Sequence, residues 1–136
     1  MKLKSLLFAI CFSLIGHVFA ANIHLNPKAD AADKKSVATK RMYPGYCQIE
    51  IINESLTDIF VYGTFDDNST VSFPIYYREY PHYISLFYYT YCHNGMYLEI
   101  TSPYGTIYSG WTNVNSTVRI VPYLNRGVKS AKAEVC

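Results

Sequence analysis

Apolar and polar side chains alternate with a period of two along residues 45–123, as expected for strands that bury one face. In the first such segment, Cys47, Ile49 and Ile51 share one face, and Gln48 and Glu50 share the other. In the second, the predicted inward positions are Ile59, Val61, Gly63 and Phe65. Seven strands are predicted: Cys47–Ile52, Asp58–Phe65, Val71–Tyr76, Tyr83–Tyr91, Met96–Thr101, Thr106–Trp111 and Thr117–Val121.

Turn-forming residues separate these segments, because Asn and Asp bond their own backbone and Gly accepts positive φ. The predicted turns are Asn53–Ser55, Asp66–Ser69, His93–Gly95, Ser102–Gly105 and Asn113–Ser116. Short turns pair neighbouring strands antiparallel. The pattern therefore predicts an all-β domain, either a small antiparallel β-sandwich with about seven strands in an Ig-like arrangement or a small barrel.

The first twenty residues have the three parts of a cleavable export signal. Lys2 and Lys4 give a positive start, Leu6–Ile15 is uncharged and apolar, and Gly16–Ala20 ends in small residues. The apolar run is about half the length that a membrane-spanning helix needs, roughly twenty residues. We expect cleavage after Ala20, a secreted or periplasmic protein, and no stable membrane span.

Polar segments flank the predicted β domain on both sides. Residues 21–44 and residues 124–136 contain few large apolar side chains, so burial offers little to offset the entropy of ordering them. Both are expected to be flexible tails, with a short helix across Ala29–Arg41 in the first. The expected organisation is thus a signal at 1–20, a leader at 21–44, a β domain at 45–123 and a tail at 124–136.

The charge distribution argues against nucleic acid as a partner. From Gly45 to Tyr123 the basic residues are Arg78 and Arg119, against seven acidic residues. Phosphate binding needs a positive face, which this body lacks. His24, His82, His93 and Cys92 show no close metal-ligand spacing. We therefore predict no metal and no cofactor.

Three cysteines remain after signal removal: Cys47, Cys92 and Cys136. The first two have inward parity in their strands, so a bridge between them is the preferred pairing. It would close a loop of about 45 residues and contribute about 4 kcal/mol in the chain-entropy model. Pairing of Cys136 with either of the others is the alternative. An unpaired Cys136 leaves the protein a monomer or a dimer linked through that residue.

Two arrangements suggest catalysis. Cys92 and His93 could form a thiol nucleophile and its imidazole base. Adjacent residues in a strand point to opposite faces, so these two side chains are expected to diverge. Carboxylates at Glu50, Glu54, Glu79 and Glu99 include pairs of the kind used in glycoside hydrolysis, whose separation the sequence does not give. A small hydrolase stays as an alternative, and a non-enzymatic protein is favoured.

Tyrosine is unusually concentrated in the β domain. All fourteen tyrosines lie between Tyr43 and Tyr123, and seven fall between Tyr76 and Tyr91. Strand parity predicts an outward aromatic group with two companions: Tyr83, Phe87, Tyr89, Tyr91 and Tyr97, with Arg78 and Trp111. Such rings offer flat apolar faces with polar tips, which suits carbohydrate or protein binding. The alternative is that a second layer of the same domain covers this face.

One family resemblance concerns the cysteine placement. A small exported β domain with a cysteine near its first strand and another at its terminus is similar to bacterial periplasmic C-type lysozyme inhibitors. Those proteins carry a Ser-Gly-x-x-Tyr motif, whereas Ser109-Gly110-Trp111-Thr112-Asn113 lacks the tyrosine. The leading hypothesis is a secreted, non-enzymatic binding protein for a glycan or a partner protein. An enzyme inhibitor is the alternative that the resemblance implies.

Overall fold

The computed structural model describes residues 22–40, 46–125 and 128–136. The predicted export signal and its cleavage site lie outside these residues. The described chain forms one helix, α1 (Ala31–Lys40), and eleven strands: β1 (Ile23–His24), β2 (Gln48–Asn53), β3 (Ile59–Thr64), β4 (Thr70–Ile75), β5 (His82–Ser85), β6 (Phe87–Tyr88), β7 (Tyr91–Cys92), β8 (Gly95–Ser102), β9 (Gly105–Asn113), β10 (Thr117–Asn125) and β11 (Val128–Val135).

The strands form two main sheets, so the predicted all-β sandwich is confirmed. One sheet has the order β1-β5-β2-β10-β11, the other has the order β4-β3-β8-β9, and β6 and β7 pair separately. Most pairings are antiparallel, but β1 pairs parallel with β5, and β2 pairs parallel with β10. The Ig-like strand arrangement is not confirmed.

The core lies between the two sheets. The predicted inward positions of β2 and β3 are buried, including Ile49, Ile51 and Val61, each of which has no exposed surface. The largest fully buried side chains come from both sheets and from β6, and they are Tyr88, Phe65, Ile49, Ile51, Ile75, Ile84, Leu86, Met96, Leu98, Ile100, Ile120 and Val61. Burial of these apolar surfaces is the main favourable contribution to the fold.

The predicted strand Tyr83–Tyr91 is divided into β5, β6 and the start of β7. Tyr89 and Thr90 adopt positive φ angles of 53° and 66°, which turn the chain back between β6 and β7. The buried carboxylate of Asp33 accepts hydrogen bonds from the amides of both turn residues, at 3.0 and 2.8 Å. Inward and outward side chains therefore do not alternate regularly along the predicted strand. Phe87, predicted to face outward, is consequently buried at 8 % exposure.

Residues 22–40, here called the N-terminal strap, form a strand and a helix that contact the body, in the stretch where a flexible leader was expected. β1 pairs with β5, and Asn26 donates to Asp67 at 3.3 Å. The predicted helix is present as α1, where the Asp33 amide donates to Asp30 Oδ1 at 2.8 Å in an N-terminal cap. Polar side chains of the strap form hydrogen bonds with the body. An estimate based on apolar composition does not include such bonds.

The predicted C-terminal tail is also more regular than its composition suggested. β10 continues to Asn125, and β11 pairs with it from Val118↔Val135 to Asn125↔Val128. Ala131 and Ala133 pack against the core with their small side chains. A sheet edge is held by backbone hydrogen bonds, so this segment forms a strand without large apolar residues.

The preferred disulfide is confirmed. Cys47 and Cys92 are bonded, with their Cα atoms 5.7 Å apart and a sequence separation of 45. Cys136 is a free, exposed thiol. Within the described residues, no helix is long and apolar enough to cross a bilayer.

Candidate functional site

Four aromatic side chains are exposed on the outer surface of the β4-β3-β8-β9 sheet. In β3, Phe60 and Tyr62 alternate with the buried Ile59 and Val61, so both rings point outward, at 46 % and 42 % exposure. β8 contributes Tyr97 at 42 %, and β9 contributes Trp111 at 53 %. Phe60, Tyr62, Tyr97 and Trp111 are here called the aromatic face.

Strand register places these rings along a diagonal. Tyr97 and Trp111 are direct cross-strand partners, and Thr64 of β3 lies in the same row. Phe60 is four residues from Thr64 on the same side of β3. With strands about 4.8 Å apart and a rise of about 3.4 Å per residue, the Cα atoms of Phe60 and Trp111 are separated by roughly 17 Å. The face is thus long enough for an extended ligand.

The indole of Trp111 lies close to the backbone of Gly95 in β8, in space that a side chain at Gly95 would occupy. A Cβ atom at Gly95 would lie only 2.9 Å from Cε2 and Nε1 of the indole. The indole Nε1 also donates a hydrogen bond to Asn113 Oδ1 at 3.2 Å. These two contacts hold the indole in place while the side chain stays 53 % exposed.

The ring of Tyr97 is held in a similar way. Its hydroxyl is hydrogen-bonded to the hydroxyl of Ser109. Ser109 lies on the neighbouring strand β9, two residues before Trp111, the direct partner of Tyr97. The tyrosine therefore leans over β9. Rings fixed in the free protein lose little rotamer entropy when a ligand stacks on them, so Tyr97 and Trp111 together form a preorganised surface.

The aromatic face carries one acidic group. The outward residues of the four strands are Phe60, Tyr62, Thr64, Thr70, Ser72, Pro74, Tyr97, Glu99, Thr101, Thr106, Ser109, Trp111 and Asn113. Of these, Glu99 alone is charged. Its cross-strand partners are Tyr62 on one side and Ser109 on the other. Within the part of the chain that the structure describes, no hydrogen bond or ion pair engages its carboxylate.

The other residues predicted for the site lie elsewhere. Tyr89 and Tyr91 are exposed at the β6–β7 hairpin, and Tyr83 is half-buried in the other main sheet. Arg78 lies in the connection between β4 and β5, 5.1 Å from the centre of the Tyr77 ring. Phe87 belongs to the core. The structure thus brings together Tyr97 and Trp111 from the predicted set.

Two members of the aromatic face were missed in the sequence. The inward assignment of Ile59, Val61 and Gly63 already implies that Phe60 and Tyr62 point outward, so strand parity could have found them. The tyrosine count drew attention to the segment around Tyr83 instead. Gly95 gives no sequence signal for its role, since a glycine before a strand usually indicates a turn.

A polar network surrounds His93 at the β6–β7 hairpin. Its Nδ1 lies 2.8 Å from Asp66 Oδ2, and its Nε2 lies 3.0 Å from the carbonyl oxygen of Tyr88. The ring is stacked between Tyr88 and Tyr91, with centroids at 3.6 and 4.0 Å. Both ring nitrogens are engaged, so neither is free to transfer a proton to a substrate. This geometry is typical of a structural histidine.

The tyrosine and carboxyl groups in this network are strongly perturbed. Burial, and then the hydrogen bond to Asp66, raise the pKa of Tyr88 far above its ordinary value. For Asp67, desolvation acts against ionisation, yet hydrogen bonds from Ser69, Tyr89 and Asn26 lower its pKa to about 2. The network therefore holds a charged Asp67 that ties the strap to the hairpin.

A second polar cluster fastens β1. His24 Nε2 and His82 Nδ1 are 2.8 Å apart, and the His24 ring stacks on Phe73 with a centroid distance of 3.4 Å. His82 Nε2 is 3.3 Å from Glu79 Oε1 without hydrogen-bond geometry. Burial, and then the charge of His82, lower the pKa of His24 to about 4. Among the described residues, no three His, Cys, Asp or Glu side chains are grouped to hold a metal ion.

A cleft of about 440 Å³ lies beside β10. Its lining residues are Leu56, Thr57, Tyr104, Pro122, Tyr123, Leu124 and Ser130. No charged side chain lies among them. The cleft offers apolar surface without the fixed rings and central carboxylate of the aromatic face, which is therefore the stronger candidate for specific recognition.

Comparisons of the chain with protein-family models, with curated proteins and with solved structures find no match. The binding properties of the aromatic face are therefore argued from its own geometry and charge. Flat, fixed rings can stack against a planar or ring-shaped partner. The hydroxyl, amide and carboxylate groups between them can bond the polar edge of that partner.

Proposed function

We propose that this chain is an exported, non-enzymatic binding module that holds a glycan against its aromatic face. One observation carries the proposal: Tyr97 and Trp111 are adjacent and exposed, and both rings are held by local contacts. The Tyr97 hydroxyl is bonded to Ser109, and the Trp111 indole is bonded to Asn113 and lies close to the backbone of Gly95. A pyranose ring has apolar C–H faces and hydroxyl groups at its rim. It can therefore stack on the two rings and hydrogen-bond to the polar groups beside them.

The mixture of residues on the face favours a glycan over a protein partner. Protein interfaces concentrate their binding energy in a central apolar cluster that excludes water. Here the rings are separated by polar side chains, among them Thr64, Glu99 and Ser109. The diagonal of about 17 Å accommodates several sugar units in line, as estimated from strand spacing. Repeated stacking along a chain would compensate for weak individual contacts.

The states of Cys92 and His93 favour a binding role over a hydrolase that uses a thiol nucleophile. The thiol of Cys92 is consumed in the disulfide with Cys47. His93 has both ring nitrogens engaged by Asp66 and the Tyr88 carbonyl. These were the groups that suggested nucleophilic chemistry in the sequence. The disulfide also agrees with the export that the N-terminal signal predicts, because such bonds persist in oxidising compartments.

Binding can be read directly from the protein, since Trp111 is its single tryptophan. The unmodified protein should capture one class of oligosaccharide on a glycan array, and titration with that class should change Trp111 fluorescence. Tyr97→Ser should weaken binding at least tenfold through loss of one stacked ring. Trp111→Phe should retain part of the affinity on the array.

Tyr80→Ser is the matched control, because Tyr80 is 82 % exposed and lies outside the face. Its affinity should equal that of the unmodified protein. Equal losses for Tyr80→Ser and Tyr97→Ser would reject the face as the site. Capture of a hydrolase with no glycan bound would instead support the enzyme-inhibitor alternative.

A further inference from the structure

Glu99 occupies the centre of the aromatic face. It is half-buried, with Tyr62 and Ser109 as its cross-strand neighbours and Tyr97 two residues before it on the same side of β8. Residues two apart along a strand are about 7 Å from each other, so a ligand that stacks on Tyr97 and extends along β8 would cover the carboxylate as well. No described side chain neutralises it.

The surroundings of the face are also short of positive charge. The outward residues of the sheet include no Lys or Arg. Of the two arginines between Gly45 and Tyr123, Arg119 pairs with Glu54 at 3.2 Å on the other main sheet. Arg78 is in the β4–β5 connection, above Tyr77. The charge carried by the outward residues of this sheet is therefore negative, and a negative group attracts cations to its surroundings.

We propose that the glycan bound on this face is an amino sugar polymer whose free amines are protonated, with Glu99 as the group that selects them. This inference rests on the proposed function. The sugar rings stack on Tyr97 and Trp111, and an ammonium group donates a charge-assisted hydrogen bond to the Glu99 carboxylate. The face of Tyr62, the cross-strand partner of Glu99, adds cation–π attraction to the same ammonium.

Desolvation decides between a charged and a neutral ligand. A ligand that covers Glu99 removes water from its carboxylate, and a buried charge is costly unless an opposite charge pairs with it. A hydroxyl or an N-acetyl group supplies at most a neutral donor. An ammonium compensates the charge fully. The face should therefore discriminate against the acetylated form of the same sugar chain.

The experiment compares two oligomers of equal length, one of glucosamine and one of N-acetylglucosamine, by Trp111 fluorescence below neutral pH, where the free amine is protonated. The glucosamine oligomer should bind at least tenfold more tightly, and added salt should reduce this preference. Glu99→Gln keeps the shape and removes the charge, so it should bring the two affinities to within about threefold. Glu54→Gln, which removes a carboxylate on the other main sheet, should leave the preference unchanged.

The outcomes separate this inference from the proposed function. Equal binding of the two oligomers, or a preference that survives Glu99→Gln, would overturn the amino sugar inference and leave glycan binding intact. Binding of other, neutral glycans with neither of these oligomers bound would do the same. Failure to bind any glycan would overturn both. Circular dichroism of each variant confirms that lost binding does not reflect unfolding.

Discussion

At the scale of single residues, the aromatic face depends on a position with no side chain. Gly95 lies beneath the Trp111 indole, and a Cβ atom there would approach the indole to 2.9 Å and the Thr112 carbonyl oxygen to 2.4 Å. The second of these atoms is backbone and cannot move aside freely. The position of the indole thus depends on the missing side chain at Gly95, in addition to the hydrogen bond to Asn113.

Gly95→Ala should destabilise the protein and displace the indole. Overpacking of this kind costs about 1–3 kcal/mol of unfolding free energy. Urea unfolding measures the loss, and a shifted Trp111 emission maximum reports the displaced ring. Gly110→Ala is the control on the neighbouring strand, because its Cβ would meet only the Tyr108 hydroxyl, at 3.9 Å. Similar losses for the two variants would show that the indole contact is not the cause.

At the scale of elements, alternation predicted those strands that bury one continuous face. β2, β3, β4, β8 and β9 fall within two residues of their predicted ends. The turn at Tyr89 and Thr90 was not predicted, because the alternating pattern of apolar and polar residues continues through it. That turn is fixed by Asp33, 56 residues away from Tyr89 in sequence. A contact at that separation leaves no trace in a local pattern.

The pairing of β1 in the N-terminal strap and the strand β11 were not predicted, for a related reason. Composition estimates how much apolar surface a segment buries, and both segments bury little. They are held by backbone pairing and by polar contacts such as those of His24 and Asp33.

The candidate site was predictable only in part from the sequence. Parity identified Tyr97, whereas its pairing with Trp111 required the register of β8 and β9.

Docking of the strap should weaken in acid. The pKa of His24 falls from 6.5 to about 4 in the folded protein, because the site is buried and His82 is adjacent. The unfolded chain therefore binds a proton more readily than the folded chain. The contribution of His24 to stability is complete above pH 6.5 and is lost progressively as the pH falls towards 4.

The measurement is the free energy of unfolding at several pH values between 7.5 and 4, for the unmodified protein and for His24→Gln. Glutamine does not titrate, so the difference between the two proteins should shrink as the pH falls. Other titrating groups, such as Asp66, affect both proteins alike and cancel in that difference. A difference that stays constant over this range would contradict the assigned role of the His24–His82 pair.

At the scale of the whole molecule, the disulfide and β11 close the sandwich in different ways. The bond between Cys47 and Cys92 links the start of β2 to the β6–β7 hairpin and constrains the unfolded chain. β11 acts only in the folded state, as the outer partner of β10 along eight paired positions. Since β10 joins β2 over just four positions, much of β10 has β11 as its one strand partner among the described residues.

Truncation after Leu124 tests this architecture. If residues 125–136 were a flexible tail, their removal would leave stability unchanged. With β11 as an integral strand, removal exposes the edge of β10 and uncovers the core contacts of Ala131 and Ala133. A loss of about 2 kcal/mol would lower the unfolding midpoint by roughly 10 °C in a domain of this size. Calorimetry of the truncated and full-length proteins, with Cys136→Ser as a control for the lost thiol, distinguishes the two cases. An unchanged midpoint would mean that β11 contributes no stability, whereas a lowered midpoint specific to the truncation would show that β11 is part of the folded domain.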